Sequence, residues 1–419
     1  MRAPASSPAT EAVHGLPLWE FIVLMASLTA VNALGIDMML AALPDIGREL
    51  RLSAENHQQL VVSVYVGSFG VGQLFWGPIA DRFGRRPILL GAMAIYAAMS
   101  FLAAHAGSLE LLLVARALQG LAAASTRVLS SSIVRDCYAG RTMAKIMSLA
   151  FMVFLAVPIL APSLGQLILL VAPWHWIFYV LGGFSLGVGL WAGLRLPETL
   201  SPVNRRPINL GAIIEASRQV ITSRISIGYA VAMGCIYGGL MGFLNSAQQI
   251  LAHSFGRPDL FGVCFGAIVV FMAVSALLNA RIVERFGQRL ISHIALLAMI
   301  AICALRLILV MSGQETLILF ILLSGLTFAF YGLCGSNFGS LAMEPMGHIA
   351  GTAASIQGFV STMIGTCIGL VIGQSFQGTT LPLTLGWELG GLAALAIVLW
   401  IERGRLFRGH YVRPGSSPP

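Results

Sequence analysis

Long apolar runs alternate with short polar loops along almost the whole chain. The runs cover residues 18–43, 57–79, 87–106, 109–134, 145–172, 174–195, 225–251, 260–282, 290–312, 316–342, 348–376 and 383–401. Each is close to or above the roughly 20 mostly apolar residues that a helix needs to cross a bilayer. In hydrocarbon every backbone polar group must be bonded within its own segment, so such runs form helices. The pattern predicts an all-α integral membrane protein with twelve transmembrane helices. The longest polar interruption, 197–224, carries several arginines with Pro197, Pro202 and Pro207. It reads as a cytoplasmic linker between two six-helix bundles, 18–196 and 225–402. The tails are 1–17 and 403–419.

A short charged loop occurs twice and supports the division. Gly77-Pro78-Ile79-Ala80-Asp81-Arg82-Phe83-Gly84-Arg85-Arg86-Pro87 lies between the second and third runs. A weaker echo, Val283-Glu284-Arg285-Phe286-Gly287-Gln288-Arg289, lies between the eighth and ninth. A repeated loop at half the chain length implies two pseudo-symmetric bundles, and that architecture points to transport. An Arg in such a loop can fork onto a carboxylate or onto exposed helix carbonyls. Gly77, Asp81, Arg82, Gly84, Arg85 and Arg86 are therefore read as a conformational latch, against the plainer reading that the arginines only fix topology.

Composition narrows the picture. The chain has 419 residues, of which 57% are hydrophobic and 10% charged. Soluble proteins carry about 25% charged residues. In a soluble protein the net charge of +8 would suggest nucleic acid; here it reads as orientation, and no nucleic-acid partner is expected. With the N-terminus inside, only Arg48, Arg51 and Arg257 fall in outer loops, and Arg116, Arg127 and Arg306 fall within runs. All other basic residues lie on the cytoplasmic side, which predicts both termini there. The first seventeen residues lack a basic start and a cleavage site, so the first run is expected to stay as an anchor. Six cysteines form neither a zinc spacing nor a disulfide framework. Without a GxxxxGK[ST] phosphate loop, ATP-driven transport in this chain is not expected. Neither a metal site nor clustered catalytic groups are read, so an enzyme is not expected.

The first loop resembles the signature between the second and third helices of the major facilitator superfamily. Four segments resemble its drug:proton antiporters, in particular the Bcr/CflA-like bacterial multidrug exporters. These are Ile36 to Pro44 in the first helix, Arg116-Ala117-Leu118-Gln119-Gly120 and Val134-Arg135-Asp136-Cys137-Tyr138 in the fourth, and Pro158-Ile159-Leu160-Ala161-Pro162-Ser163-Leu164-Gly165 in the fifth. Ile349 to Ser355 also resembles the start of their eleventh helix. The fifth-helix antiporter motif, carried here by Pro158, Pro162 and Gly165, has Ala161 and Gln166 where the family usually has Gly. The resemblance implies a monomeric exporter in the bacterial inner membrane. It would expel small amphipathic drugs in exchange for protons by alternating access, with the proton gradient as energy source and no cofactor. A small-metabolite exporter or facilitator for a sugar, nucleoside or amino acid is the alternative.

Charges inside the runs are the candidate chemistry. A carboxylate in hydrocarbon is costly and faces a cavity or a partner. Asp37 and Arg116 each lie roughly 10 Å from the outer ends of their helices at 1.5 Å rise per residue. They are read as a shared network for proton and substrate coupling, with a static buried ion pair as the other reading. Arg127 projects from nearly the same face as Arg116; it either lines the cavity or snorkels to the interface. Arg306, near the end of its run, is read as snorkelling. Asn32, Tyr65, Tyr237, Asn245, Gln248, Asn337 and Gln357 complete the candidate substrate cavity, although each alone is more often an interhelical hydrogen bond.

Overall fold

A computed structural model of the chain describes residues 16–138, 140–205 and 210–407. Most of both tails, and with them Arg2, Arg408 and Arg413, lies outside the described residues, as does Arg206 in the linker. The chain divides into two compact units, with the boundary between Leu210 and Gly211. Among the described residues every element is a helix, joined by loops and turns.

The first unit contains α1 (Leu18–Asp37), α2 (Leu43–Glu49), α3 (Leu60–Phe83), α4 (Arg85–Ala104), α5 (Leu109–Cys137), α6 (Gly140–Leu169) and α7 (His175–Arg195). The second contains α8 (Leu210–Thr222), α9 (Arg224–Gln249), α10 (Phe261–Phe286), α11 (Gln288–Met311), α12 (Leu317–Met343), α13 (Ala350–Gln374) and α14 (Leu381–Ile401). Twelve of these helices are at least 20 residues long and correspond one to one with the apolar runs. Two elements go beyond the runs. Helix α2 follows a tight 3₁₀ turn, Met38–Ala42, at the end of α1. Helix α8 lies within the stretch read as linker, with Ala216 and Val220 buried and Ile214 and Ile221 exposed.

Packing repeats between the units. In the first, α1 packs on α6, α3 on α5, and α4 on both α5 and α7. In the second, α9 packs on α13, α10 on α12, and α11 on both α12 and α14. Numbering the six long helices of each unit gives the pairings 1–5, 2–4, 3–4 and 3–6 both times. The fourth helices even share a capping device: Ser108 accepts from the Leu111 amide and Thr316 from the Leu319 amide. The two charged loops are also one structure used twice. Gly84 (φ 103°, ψ 155°) and Gly287 (φ 79°, ψ 154°) each end one helix and start the next. Side chains rarely adopt that backbone, whereas glycine does so at little cost.

Lipid gives helices little hydrophobic reason to associate, so close approach at small residues does the work. A Cβ at Gly365 would lie 2.2 Å from the Tyr237 ring, and one at Gly369 would lie 2.3 Å from Met241 Cβ. Those contacts press α13 onto α9.

Candidate functional site

The first unit holds a polar core among its membrane-spanning helices. Arg116 of α5 is completely buried. Its Nε donates to the Val61 carbonyl on α3 (3.1 Å), Nη1 to Gln119 Oε1 (2.6 Å) and Nη2 to the Gly35 carbonyl on α1 (3.0 Å). The guanidinium sits 4.1 Å from the Tyr65 ring centroid, a cation–π contact strengthened by burial. Gln119 passes the chain on to Ser100 Oγ on α4 (2.6 Å). The Tyr65 hydroxyl donates to Asn32 Oδ1 (3.1 Å) and the Tyr96 hydroxyl to the Val31 carbonyl (3.3 Å). One arginine thus ties α1, α3 and α5 together through neutral acceptors.

Asp37 lies two residues beyond Gly35, at the junction where α1 tightens into the 3₁₀ turn. It is 5% exposed. No donor of Arg116 reaches it, so the static ion pair does not form. A 3₁₀ segment within a long helix often marks a hinge. The antiporter motif of α6 packs directly on that turn. A Cβ at Gly165 would lie 2.2 Å from the Met38 carbonyl oxygen, so only glycine allows this approach. Pro158 and Pro162, both inside α6, each remove one N–H from the helix ladder. A single small residue at position 165 therefore achieves the close packing despite Ala161 and Gln166.

Of the remaining cavity candidates, Asn32, Tyr65 and Arg116 come together. Arg127 does not; it is exposed, three turns along α5, about 16 Å away by helix rise. In the second unit the amides join helices. Asn245 donates to the Gly369 carbonyl (3.1 Å) and Asn337 to Asn279 Oδ1 (2.8 Å). Gln357 donates to Ser226 Oγ (2.7 Å) and the Ala342 carbonyl (2.9 Å). Tyr237 and Gln248 are half-buried on α9. The expected snorkelling of Arg306 is corrected: the residue is 2% exposed and bonded to Glu315 through Nε (2.8 Å). Glu315 lies in the turn after α11, close enough to draw the side chain inward.

The loop residues form a cluster whose acids the sequence reading missed in part. Arg85 is 6% exposed. Its Nε bonds Asp136 at the end of α5 (3.0 Å), and its Nη1 forms an ion pair with Asp81 (2.5 Å). Glu198, beyond α7, accepts from the backbone amides of Arg85 (2.9 Å) and Arg86 (3.3 Å), the first residues of α4. A carboxylate there complements the helix dipole. Arg86 also donates to the Gly193 carbonyl. Arg82 stays exposed and Gly77 half-buried. Tyr138 packs on Phe21 of α1, ring centroids 5.1 Å apart, so the end of α5 clamps both α1 and α4. The second loop copies the plan. Arg289 bonds Glu344, just past α12 (2.8 Å), and Glu402, just past α14 (3.0 Å). Acids at the ends of the fourth and sixth helices hold the loop arginines in each unit. The signal for Glu198 was its place just beyond the sixth run, opposite a loop of bare amides.

The profile of the Major Facilitator Superfamily matches residues 25–370. The chain belongs to this superfamily. It is a multi-pass membrane transporter and not an enzyme. It is 31% identical over 369 residues to an uncharacterized MFS-type transporter of Bacillus subtilis, YdgK, covering 86% of this chain and 90% of that protein. It is 29% identical over 384 residues to a bicyclomycin resistance protein homolog of Haemophilus influenzae, covering 91% and 95%. A 180-residue segment is 37% identical to the multidrug resistance protein MdtL of Klebsiella pneumoniae, covering 43% and 46%. These relatives bear out the resemblance to Bcr/CflA-like multidrug exporters. Among solved structures, a D-xylose–proton symporter superposes with a TM-score of 0.74 at 15% identity, covering 93% of this chain and 98% of that one. That likeness concerns the fold alone. The transporter binds small-molecule substrates, as its superfamily does.

Proposed function

We propose that this transporter exports small amphipathic drugs across the bacterial inner membrane in exchange for protons, by alternating access, with both termini cytoplasmic. The observation that carries the reading is Asp37: a buried intramembrane carboxyl, at a break in α1, with no cation fixed upon it. An acid locked in an ion pair has no reason to change its charge during a cycle, whereas one without such a partner is free to. Arg116 holds α1 at Gly35, two residues away, so a change at Asp37 is felt by a network spanning three helices. The multidrug-resistance relatives support the drug class, and the gathering of arginine in alternate loops supports the orientation.

The energetics fit exchange. One pH unit is worth about 1.4 kcal/mol per proton, and 100 mV about 2.3 kcal/mol. Together they sustain roughly a five-hundredfold gradient of an uncharged cargo per proton. Asp37→Asn removes the proton site while keeping the side-chain shape. It is expected to abolish pH-driven uptake of a fluorescent drug into inverted vesicles, with normal expression and unfolding temperature. Wild-type-like pH-driven efflux by that variant would remove Asp37 from the mechanism. Flux of a sugar, nucleoside or amino acid without drug flux would favour a metabolite transporter instead.

A further inference from the structure

A second acid inside the membrane stands apart from all of the above. Glu388 is the single charged residue of α14, seven residues from its start, roughly 10 Å along the helix. Its Oε2 is buried and has no hydrogen-bond partner. The same lone-acid-in-an-apolar-run signal that singled out Asp37 was present in the sequence here, and the sequence reading passed over it.

The surroundings of Glu388 are organised. Thr380, just before α14, and Thr384 and Glu388 within it follow at intervals of four and share one face. The Thr384 hydroxyl donates to the Thr380 carbonyl (3.0 Å), and the Thr380 hydroxyl donates to Glu315. Glu315 in turn holds Arg306 of α11. Arg306 Nη1 donates to Ser324 Oγ (3.2 Å), while its Nη2 is buried with no partner. A Cβ at Gly391 would lie 2.9 Å from Ile300 of α11, which sets the register of this antiparallel pair. Glu388 then sits level with Cys303, and Arg306 one turn, about 5 Å, beyond. The other helices add no charge here: α9 beyond Arg224, α12 and α13 contain no Asp, Glu, Lys or Arg. They contribute Cys235, whose carbonyl abuts Gly390, Tyr331, whose ring meets Trp387, and Cys367 beside Leu385 and Leu389. A line of polar groups therefore runs from the start of α14, through Glu315 and two threonines, towards the half-buried Glu388, whose Oε2 is buried, with the unpartnered Nη2 of Arg306 about one turn along.

We propose that Glu388 is a second proton-binding carboxyl of this transporter, charged and neutralised along the line of polar groups between α11 and α14. The neutral acid needs no counter-charge. The anion lies about one helical turn from the positive charge of Arg306, whose Nη2 has no partner, so each charge state has a compensating arrangement. A structural role alone leaves two buried polar atoms, Glu388 Oε2 and Arg306 Nη2, without partners, which is costly. The site does not depend on the export reading; only its consequence does, since a second exchanged proton steepens the cargo gradient.

The test uses the full chain in native membranes. A hydrophobic carbodiimide modifies protonated carboxyls in apolar surroundings, and peptide mass spectrometry reads where. The expected result is an adduct on Glu388 that declines as pH rises, absent in Glu388→Gln and retained in Glu388→Asp. If other carboxyls of the same chain are modified at pH 6 while Glu388 is not, or if its labelling ignores pH, the proposal is overturned. Because labelling is read on the wild type, a Glu388→Gln variant that fails to fold does not obscure the answer. In vesicles with the membrane potential collapsed and one unit of pH gradient, Glu388→Gln is expected to lower the gradient of uncharged cargo from about a hundredfold to about tenfold. An unchanged gradient in a folded variant also overturns exchange at Glu388. Wild-type export indifferent to pH would instead sink the export reading, with the labelling still deciding Glu388.

Discussion

Gly165→Ala is the sharpest perturbation of the candidate site that leaves every polar group in place. The added Cβ would lie 2.2 Å from the Met38 carbonyl oxygen and 3.1 Å from its carbon. Ordinary contact begins near 3.5 Å, so α6 or the turn after Asp37 must move by about 1 Å. The opposing atoms are backbone and cannot swing aside. Overpacking of this kind costs about 1–3 kcal/mol. Alanine also gains up to about 1 kcal/mol of helix propensity over glycine, so the comparison needs a control with the same gain. Gly183→Ala on α7 supplies it, since nothing lies within 4 Å of the new Cβ. The two variants should differ by about 1–3 kcal/mol. For units of this size that corresponds to a gap in unfolding midpoint of about 2–12 °C, measured by intrinsic fluorescence in detergent. Efflux should fall in Gly165→Ala and hold in Gly183→Ala. Equal midpoints and equal efflux would refute both the close approach and the argument that α6 positions the Asp37 turn.

Further predictions concern the acids at the helix ends and the buried pair. Glu198→Ala strips the acceptor from two α4 amides and should cost about 1–2 kcal/mol, seen as a lower unfolding midpoint; Glu198→Gln should recover part of it. Arg306→Ala leaves Glu315 buried without its cation and should destabilise by about 3–5 kcal/mol, whereas the double change Arg306→Met with Glu315→Leu should recover most of that loss. Thermal unfolding of the single and double variants checks both, and a double variant as unstable as the single would show that the pair is not the source.

How much was legible in the sequence depends on which force set each feature. Hydrocarbon demands long apolar helices, so the runs alone determined twelve spans, their order and their division by a polar stretch. The glycine of each charged loop was legible because its backbone geometry has a single inexpensive solution. Asp37 was legible because a lone acid in lipid is costly wherever it points; Glu388 carried the same mark. Neighbours were not legible. Periodicity gives the height of Arg116 along its helix but not what surrounds it, and the tertiary structure decided that it bonds carbonyls and Gln119 and leaves Asp37 unpaired. In the same way Arg306 turned inward because Glu315 lies within reach, and Glu198 found the bare amides of α4 from more than a hundred positions away. A bilayer constrains each helix separately, through local composition; the pairing of polar groups depends on rotation and contact between helices, which only the folded chain supplies.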